Sequence, residues 1–368
     1  MKKSLLVLAA LGTLSGLASA QSEITIFGVV DASLRSVKNG SLGTIQSLST
    51  GSESSSRLGF RGTEELGNGW SAGFWLESDL QNDIGGAGGN AIQTAPANQL
   101  WNRRSVVTLK SNTLGEVRLG RDYVPTWFVM SNADPFNNNG VAGTGNIYVS
   151  SASAVNSSAF GAGTNASSIV RVNNSVQYYL PRNLGGVYGF AMASAAERTS
   201  VALGGTKGYG GRIGYAAGPL DVTVAMYTTQ NIPTHSDFRD VAMSACYDFG
   251  VVKLSLGRRQ LSYLSAKVSD TLFGVSSRVG LGTIKFSYSL ADQSGRVGTT
   301  SINANDASQL GLGYVYDLSK RTALVATYAY LSNKGSAFYT IPAGPSANAA
   351  TFGGQTSSGY EFGLRHFF

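Results

Sequence analysis

Side chains that usually make and break bonds are scarce in this sequence. It holds two histidines, His235 and His366, and one cysteine, Cys246. A nucleophile–base arrangement needs a histidine within reach of the nucleophile. His366, however, shares one face of an extended stretch with Tyr360, Phe362, Leu364 and Phe368, and His235 falls in a segment read as an external loop. Metal sites lack a Cys or His pair, and Cys246 has no partner for an internal disulfide. "GGAGGN" at 85–90 has the glycines of a phosphate loop without the Lys-Ser/Thr or the strand–loop–helix frame, so it reads as a surface loop. Asn39, Asn156 and Asn165 stand in N-x-S tripeptides of the kind a serine-rich chain produces by chance. Arginine is different. Arg57 and Arg61 lie on one face of an alternating stretch, opposite Leu58 and Phe60, and Arg171 opposes Val170 and Val172 in the same way. Guanidinium groups on a wet surface offset the hydration that an anion sheds in a narrow opening. That chemistry is desolvation, with no bond made.

Such arginines need a wall. Alternation supplies it: Ile284, Phe286, Tyr288 and Leu290 oppose Lys285, Ser287 and Ser289, and Trp70, Ala72, Phe74 and Leu76 oppose Ser71, Gly73, Trp75 and Glu77. No helical spacing stands out beyond the first residues. There, Lys2 and Lys3, the apolar run "LLVLAALGTLSGLA" and "ASA" before Gln21 predict a signal peptide over 1–20 with cleavage after Ala20. The remaining 21–368 read as one barrel unit with 26 basic and 21 acidic residues. The basic residues are scattered singly, so a nucleic-acid face is not expected. Sixteen alternating segments follow, near 23–37, 53–65, 69–81, 99–110, 115–122, 168–180, 186–197, 206–217, 219–230, 238–249, 251–263, 267–278, 282–292, 306–317, 321–333 and 356–368. Short connections (66–69, 112–115, 183–186, 218–219, 248–250, 317–320) contrast with long ones (38–52, 82–98, 123–167, 293–305, 334–355). An even strand number and this asymmetry predict an all-β fold, a closed 16-stranded antiparallel transmembrane β-barrel with a water-filled lumen.

Four runs resemble the trimeric general porins of Gram-negative bacteria, of the neisserial and β-proteobacterial type: "ITIFGVVDAS" at 24–33, "SSRLGFRGTEELGNGWSAGFWLES" at 55–78, "RRSVVTLKSNTLGEVRLGRD" at 103–122 and the terminal "GLRHFF". The resemblance implies an outer-membrane homotrimer, in contact with lipid and lipopolysaccharide, that passes small hydrophilic solutes. It also implies that the third long loop, 123–167, folds into the lumen with "NADPFNNN" at its tip. A basic cluster is carried over to Arg57, with Arg61 on the same face, to Arg103 (with Arg104 as the alternative) and to Arg171. Glu77 and Asp134 are the matching acids. The terminal Phe368 is the expected signal for the barrel-assembly machinery. No cofactor and no metal are expected. A net positive constriction predicts passage of small anions. Three other readings stand beside it: a porin specialised for one anion such as phosphate or an organic acid, a barrel enzyme that lacks an evident base, and an adhesive surface protein.

Overall fold

The computed structural model describes residues 23–87, 99–150, 152–160, 169–196, 206–231 and 236–368. The expected signal peptide, His235, Asn165 and part of the "GGAGGN" stretch lie outside those residues.

Alternating polarity lets a strand present one face to oil and the other to water, and in hydrocarbon every backbone group must be paired, so the sheet closes. The sixteen barrel strands are β1 (Glu23–Asn39), β2 (Arg57–Gly67), β3 (Trp70–Gln81), β4 (Arg104–Ser111), β5 (Gly115–Tyr123), β6 (Arg171–Tyr179), β7 (Val187–Ser194) and β8 (Thr206–Ala217). They continue with β9 (Leu220–Asn231), β10 (Ser236–Asp248), β11 (Val252–Tyr263), β12 (Ala266–Val279), β13 (Gly282–Ser294), β14 (Ala307–Asp317), β15 (Thr322–Asn333) and β16 (Thr356–Phe367). Each is antiparallel to its neighbours, and β16 returns to β1 with Val29 opposite Phe367 and Asn39 opposite Ser357. The outer face is apolar: Ile24, Leu34 and Phe362 are 68%, 67% and 60% exposed. The inner face buries charge, with Arg259 and Glu361 at 0% exposure. His366, on the outer face, hydrogen-bonds Thr322 Oγ1 at 2.9 Å. No helix among the described residues is long and apolar enough to cross a membrane.

Three local expectations change. Residues 38–52 are not all loop, because Thr44–Thr50 folds back as a strand on the upper half of β1. The second strand starts at Arg57 instead of 53. Residues 52–54 are turned inward, where the backbone amides of Ser52, Glu53 and Ser54 all donate to the Asp31 carboxylate. Helix is also present beyond the first residues: the third loop contains α1 (Pro125–Ala133), α2 (Gly145–Tyr148) and α3 (Ala154–Phe160).

That loop fills one side of the lumen and forms the apolar core with it. Thr126 donates to Asp240 on β10, and Asn132 donates to Asp221 on β9. Ser255 on β11 donates to the Ala133 carbonyl at 2.5 Å, and the Val141 amide donates to Glu361 on β16 at 2.9 Å. Close approach is possible where the wall lacks side chains. The Phe136 ring lies over Gly313 and Pro135 over Gly274, positions where an added Cβ would collide with them. The loop therefore lines the β9–β16 wall, reaches β7 and β8 through Phe128 of α1, and leaves β2–β6 facing the opening.

Candidate functional site

The basic residues gather on that second wall. Glu77 and Asp79 project inward from β3 by the same parity that turns Leu76 outward, and Arg57 reaches Glu77 from β2 at 3.5 Å. Arg103 hydrogen-bonds Glu77 and lies 3.6 Å from Asp79. Arg104 pairs with Asp122 on β5 at 2.8 Å. Sequence parity makes Arg103 and Arg104 alternatives, but the structure places both inside. The regular strand starts only at Arg104, with Arg103 before it and free of the alternation.

Tyr123, at the end of β5, joins the group together. Its hydroxyl accepts from Arg103 Nη2 at 2.9 Å and from Arg171 Nη2 at 2.6 Å, and its ring lies 4.2 Å below the Arg171 guanidinium. Sequence reasoning passed over this tyrosine. Its one local signal is its place in "GRDYVP", where the strand ends before a proline. Arg171 arrives by a different route from the expected one. A register shift between Gly120 and Asp122, with Asn174 at φ 54°, breaks the parity of β6. Val170 and Val172, expected on the lipid side, are buried at 2% and 8% exposure in the clusters beneath the loop.

Further down the wall Arg61 lies 5.5 Å from the Phe27 ring and 5.7 Å from that of Trp75, with no carboxylate in reach among the described residues. Arg104 lies 4.5 Å above Trp75, and Arg118 lies 4.0 Å above Tyr179 while paired to Glu116 and Asp122. Six arginines (57, 61, 103, 104, 118, 171) face four carboxylates (77, 79, 116, 122), an excess of two positive charges. Arg121, near Arg171 and hydrogen-bonded among the described residues only to the Asn102 carbonyl and Asn173 Oδ1, adds a further cation. Arg171 Nε is buried without a hydrogen-bond partner, so one strong donor is left open.

Asp134 is placed differently from the expectation. Its carboxylate accepts the backbone amides of Phe136, Asn138 and Thr144 at 2.9, 3.0 and 2.8 Å, and the residue is buried within its own loop. Burial pushes this carboxyl above its usual range, and those amides pull it part of the way back. It folds the loop tip and is no counter-charge to the arginines. Since residues 123–167 contain no other acidic and no basic residue, the loop presents an edge without free charge. Phe368 sits where parity predicts, on the outer face with its ring against Gly28. Of the tripeptide asparagines, Asn39 and Asn156 are buried.

A family model described as Gram-negative porin matches residues 6–336. The chain is 36% identical to "Outer membrane porin protein 32" of Delftia acidovorans, with all of both chains covered. Among solved structures it is similar to the anion-selective porin from Comamonas acidovorans, at 32% identity and a TM-score of 0.74, covering 94% of this chain and 100% of that one. Outer-membrane expressed OmpT of Vibrio cholerae shares the fold at 13% identity and a TM-score of 0.64, over 96% and 99% of the two chains.

Proposed function

We propose, from the premise that this chain belongs to the Gram-negative porin family, that it is an outer-membrane diffusion channel whose constriction favours small anions. Passive transport and outer-membrane location come with the family, and no catalytic step is involved. The Comamonas protein is described as anion-selective. For this chain the same sign is supported by one observation: six arginines share the open wall with four carboxylates, and the facing loop has spent its single acid on its own backbone.

The magnitude follows from Coulomb's law. At an effective dielectric between protein surface and bulk water, one charge about 5 Å from a passing ion is worth roughly 1–3 kcal/mol. An excess of two or more charges should therefore favour anions by about an order of magnitude or more at low salt, since 1.4 kcal/mol is a factor of ten. The test is the reversal potential of single channels in a KCl gradient. It should have the sign of chloride passage, and a cation-selective channel would end the proposal.

Three further assignments belong to the same reading. Assembly as a homotrimer within lipid and lipopolysaccharide should appear as a heat-sensitive oligomer in native gels, and a monomer alone would rule it out. Cleavage after Ala20 should give a mature mass beginning at Gln21. Removing Phe368, which the barrel-assembly machinery would read, should lower membrane levels and leave chain in the periplasm, whereas normal insertion would refute that role.

A further inference from the structure

Below the constriction the lumen wall holds a recess of about 430 Å³, roofed by α1 of the third loop and open toward the short turns. Its inner surface is aromatic. Tyr179 and Phe190 stack at 4.4 Å with an interplanar angle of 17°, and Phe128 from α1 meets Phe190 edge-on at 5.7 Å. Its rim is basic. Arg212 donates only to neutral hydroxyls, Thr223 and Tyr188, each at 3.0 Å. Lys110 and Arg182 complete the rim, and none of these three cations has a carboxylate within 4 Å among the described residues. Arg118 also borders the recess, but Glu116 and Asp122 already neutralise it.

We propose that this recess is a second anion subsite, on the periplasmic side of the constriction, for monocarboxylates that carry a flat aromatic body. The inference rests on the anion-preferring reading and adds a class of solute to it. An inorganic anion meets only the charges of the rim, as does a short aliphatic acid. An aromatic acid can place its carboxylate on Arg212 and its ring against Phe128 and the edge of the Tyr179–Phe190 stack, whose outer Tyr179 face Arg118 covers, gaining apolar burial as well as charge. Three cations against an aromatic floor are also more than a passive wall needs. An equal scatter of polar side chains would keep the lumen wet without them. The recess opens to the lumen along its length, so an occupant dwells and leaves, as a transport subsite requires.

The experiment is single-channel recording in KCl with sodium benzoate, sodium acetate or inorganic phosphate added to each side in turn. Benzoate should reduce the chloride current saturably, at a concentration about fivefold below that of acetate or phosphate, and more readily from the short-turn side. Arg212→Gln should bring the benzoate response to that of acetate. Arg182→Gln, an exposed position at the mouth, tests the same charge without touching the packing. Phe190→Leu should weaken benzoate alone and leave the response to acetate unchanged. Equal responses to benzoate and acetate in the unmodified channel would overturn the subsite, as would a benzoate response unmoved by Arg212→Gln, Arg182→Gln and Phe190→Leu. The reversal potential, read in the same channels, separates the two ideas. An anion-selective channel that ignores the aromatic ring loses only the subsite, and a cation-selective one loses the reading beneath it.

Discussion

The two walls of the lumen handle charge in opposite ways. On the β9–β16 wall and the adjoining β1 most buried charges are answered, Asp270 on β12 being an exception with no hydrogen bond to either carboxylate oxygen among the described residues. Arg259 lies 2.6 Å from Asp240, Arg35 lies 2.7 Å from Glu361, and Lys285 pairs with Glu53. The third loop then covers them, with Thr126 on Asp240 and Val141 on Glu361. On the β2–β8 wall the arginines outnumber the acids and several lie on aromatic faces; Arg57 and Arg118 stay partly open to water, while Arg103 and Arg104 are as buried as Arg35. A covered charge must be matched, because an unmatched one in low dielectric costs several kcal/mol. A charge left in water can go unmatched, and only such a charge has interaction energy to spend on a solute. One wall holds the loop in place, and on the proposed function the other reads what passes.

The strongest way to break this division is Asp240→Ala. It takes from the fully buried Arg259 its hydrogen-bonded carboxylate, leaving only Asp270 across the β11–β12 ladder, and releases Thr126 from the wall. Breaking a buried pair costs about 3–5 kcal/mol, so we expect a lower unfolding temperature and a larger, noisier single-channel conductance as the loop loosens. Anion preference should persist. A stable, quiet channel would mean that the loop is held elsewhere.

Next comes Arg57→Ala combined with Arg171→Ala. Two wall charges removed should reduce the excess and move the reversal potential in a KCl gradient toward zero, a loss of roughly tenfold or more in anion preference. Gel-shift stability should stay near that of the parent. Loss of stability without loss of selectivity would reverse the roles assigned to the two walls.

A severalfold effect of the opposite sign is expected from Glu77→Gln. It removes the acid shared by Arg57 and Arg103 while Asp79 still holds Arg103 in place. Anion preference should rise, and its dependence on salt should steepen, since screening lengths fall from about 30 Å at 0.01 M to about 3 Å at 1 M. An unchanged reversal potential at low salt would place Glu77 outside the conducting path.

The smallest effect is reserved for Asp134→Asn. The amide keeps one acceptor of the two, so the loop tip should lose about 1–3 kcal/mol locally, visible as faster proteolysis of the loop. The reversal potential should not move. If it shifts toward anions, Asp134 does face the pore.

Strand parity carried most of the architecture. Where a strand is regular, as in β16 with Tyr360, Phe362 and Leu364 outward and Glu361 and Arg365 inward, two-residue alternation fixes the face of every side chain. It misled wherever the ladder is interrupted. Arg103 precedes its strand, and the shift at Gly120 and Asn174 undoes the count for Val172, events that depend on pairing with a distant strand. The α1 helix was hidden for another reason. "PTWFVMSNA" is apolar on most of its circumference, because wall residues meet one side and the rest of the loop the other, so no stripe of 3.6 periodicity marks it. The site was legible as a set of arginines on a wet face. The duties of Tyr123 and Asp134 were not, since they depend on which neighbour each oxygen finds once the loop has folded.

The seam between β1 and β16 has a consequence for how the protein is made. Gly28 and Phe368 exchange backbone hydrogen bonds at 3.1 and 3.2 Å, with the Phe368 ring packed on the glycine. Every other barrel pairing joins strands that follow one another along the chain. This one joins partners more than three hundred residues apart and bears the largest loop-closure entropy. Fifteen hairpin pairings can accumulate one after another, but none of them completes a ring. Until β16 finds β1, two strands keep open edges, which water tolerates and oil does not. Closure therefore acts as a built-in inspection: a nascent chain that lacks a sound last strand cannot leave the aqueous side as a finished cylinder.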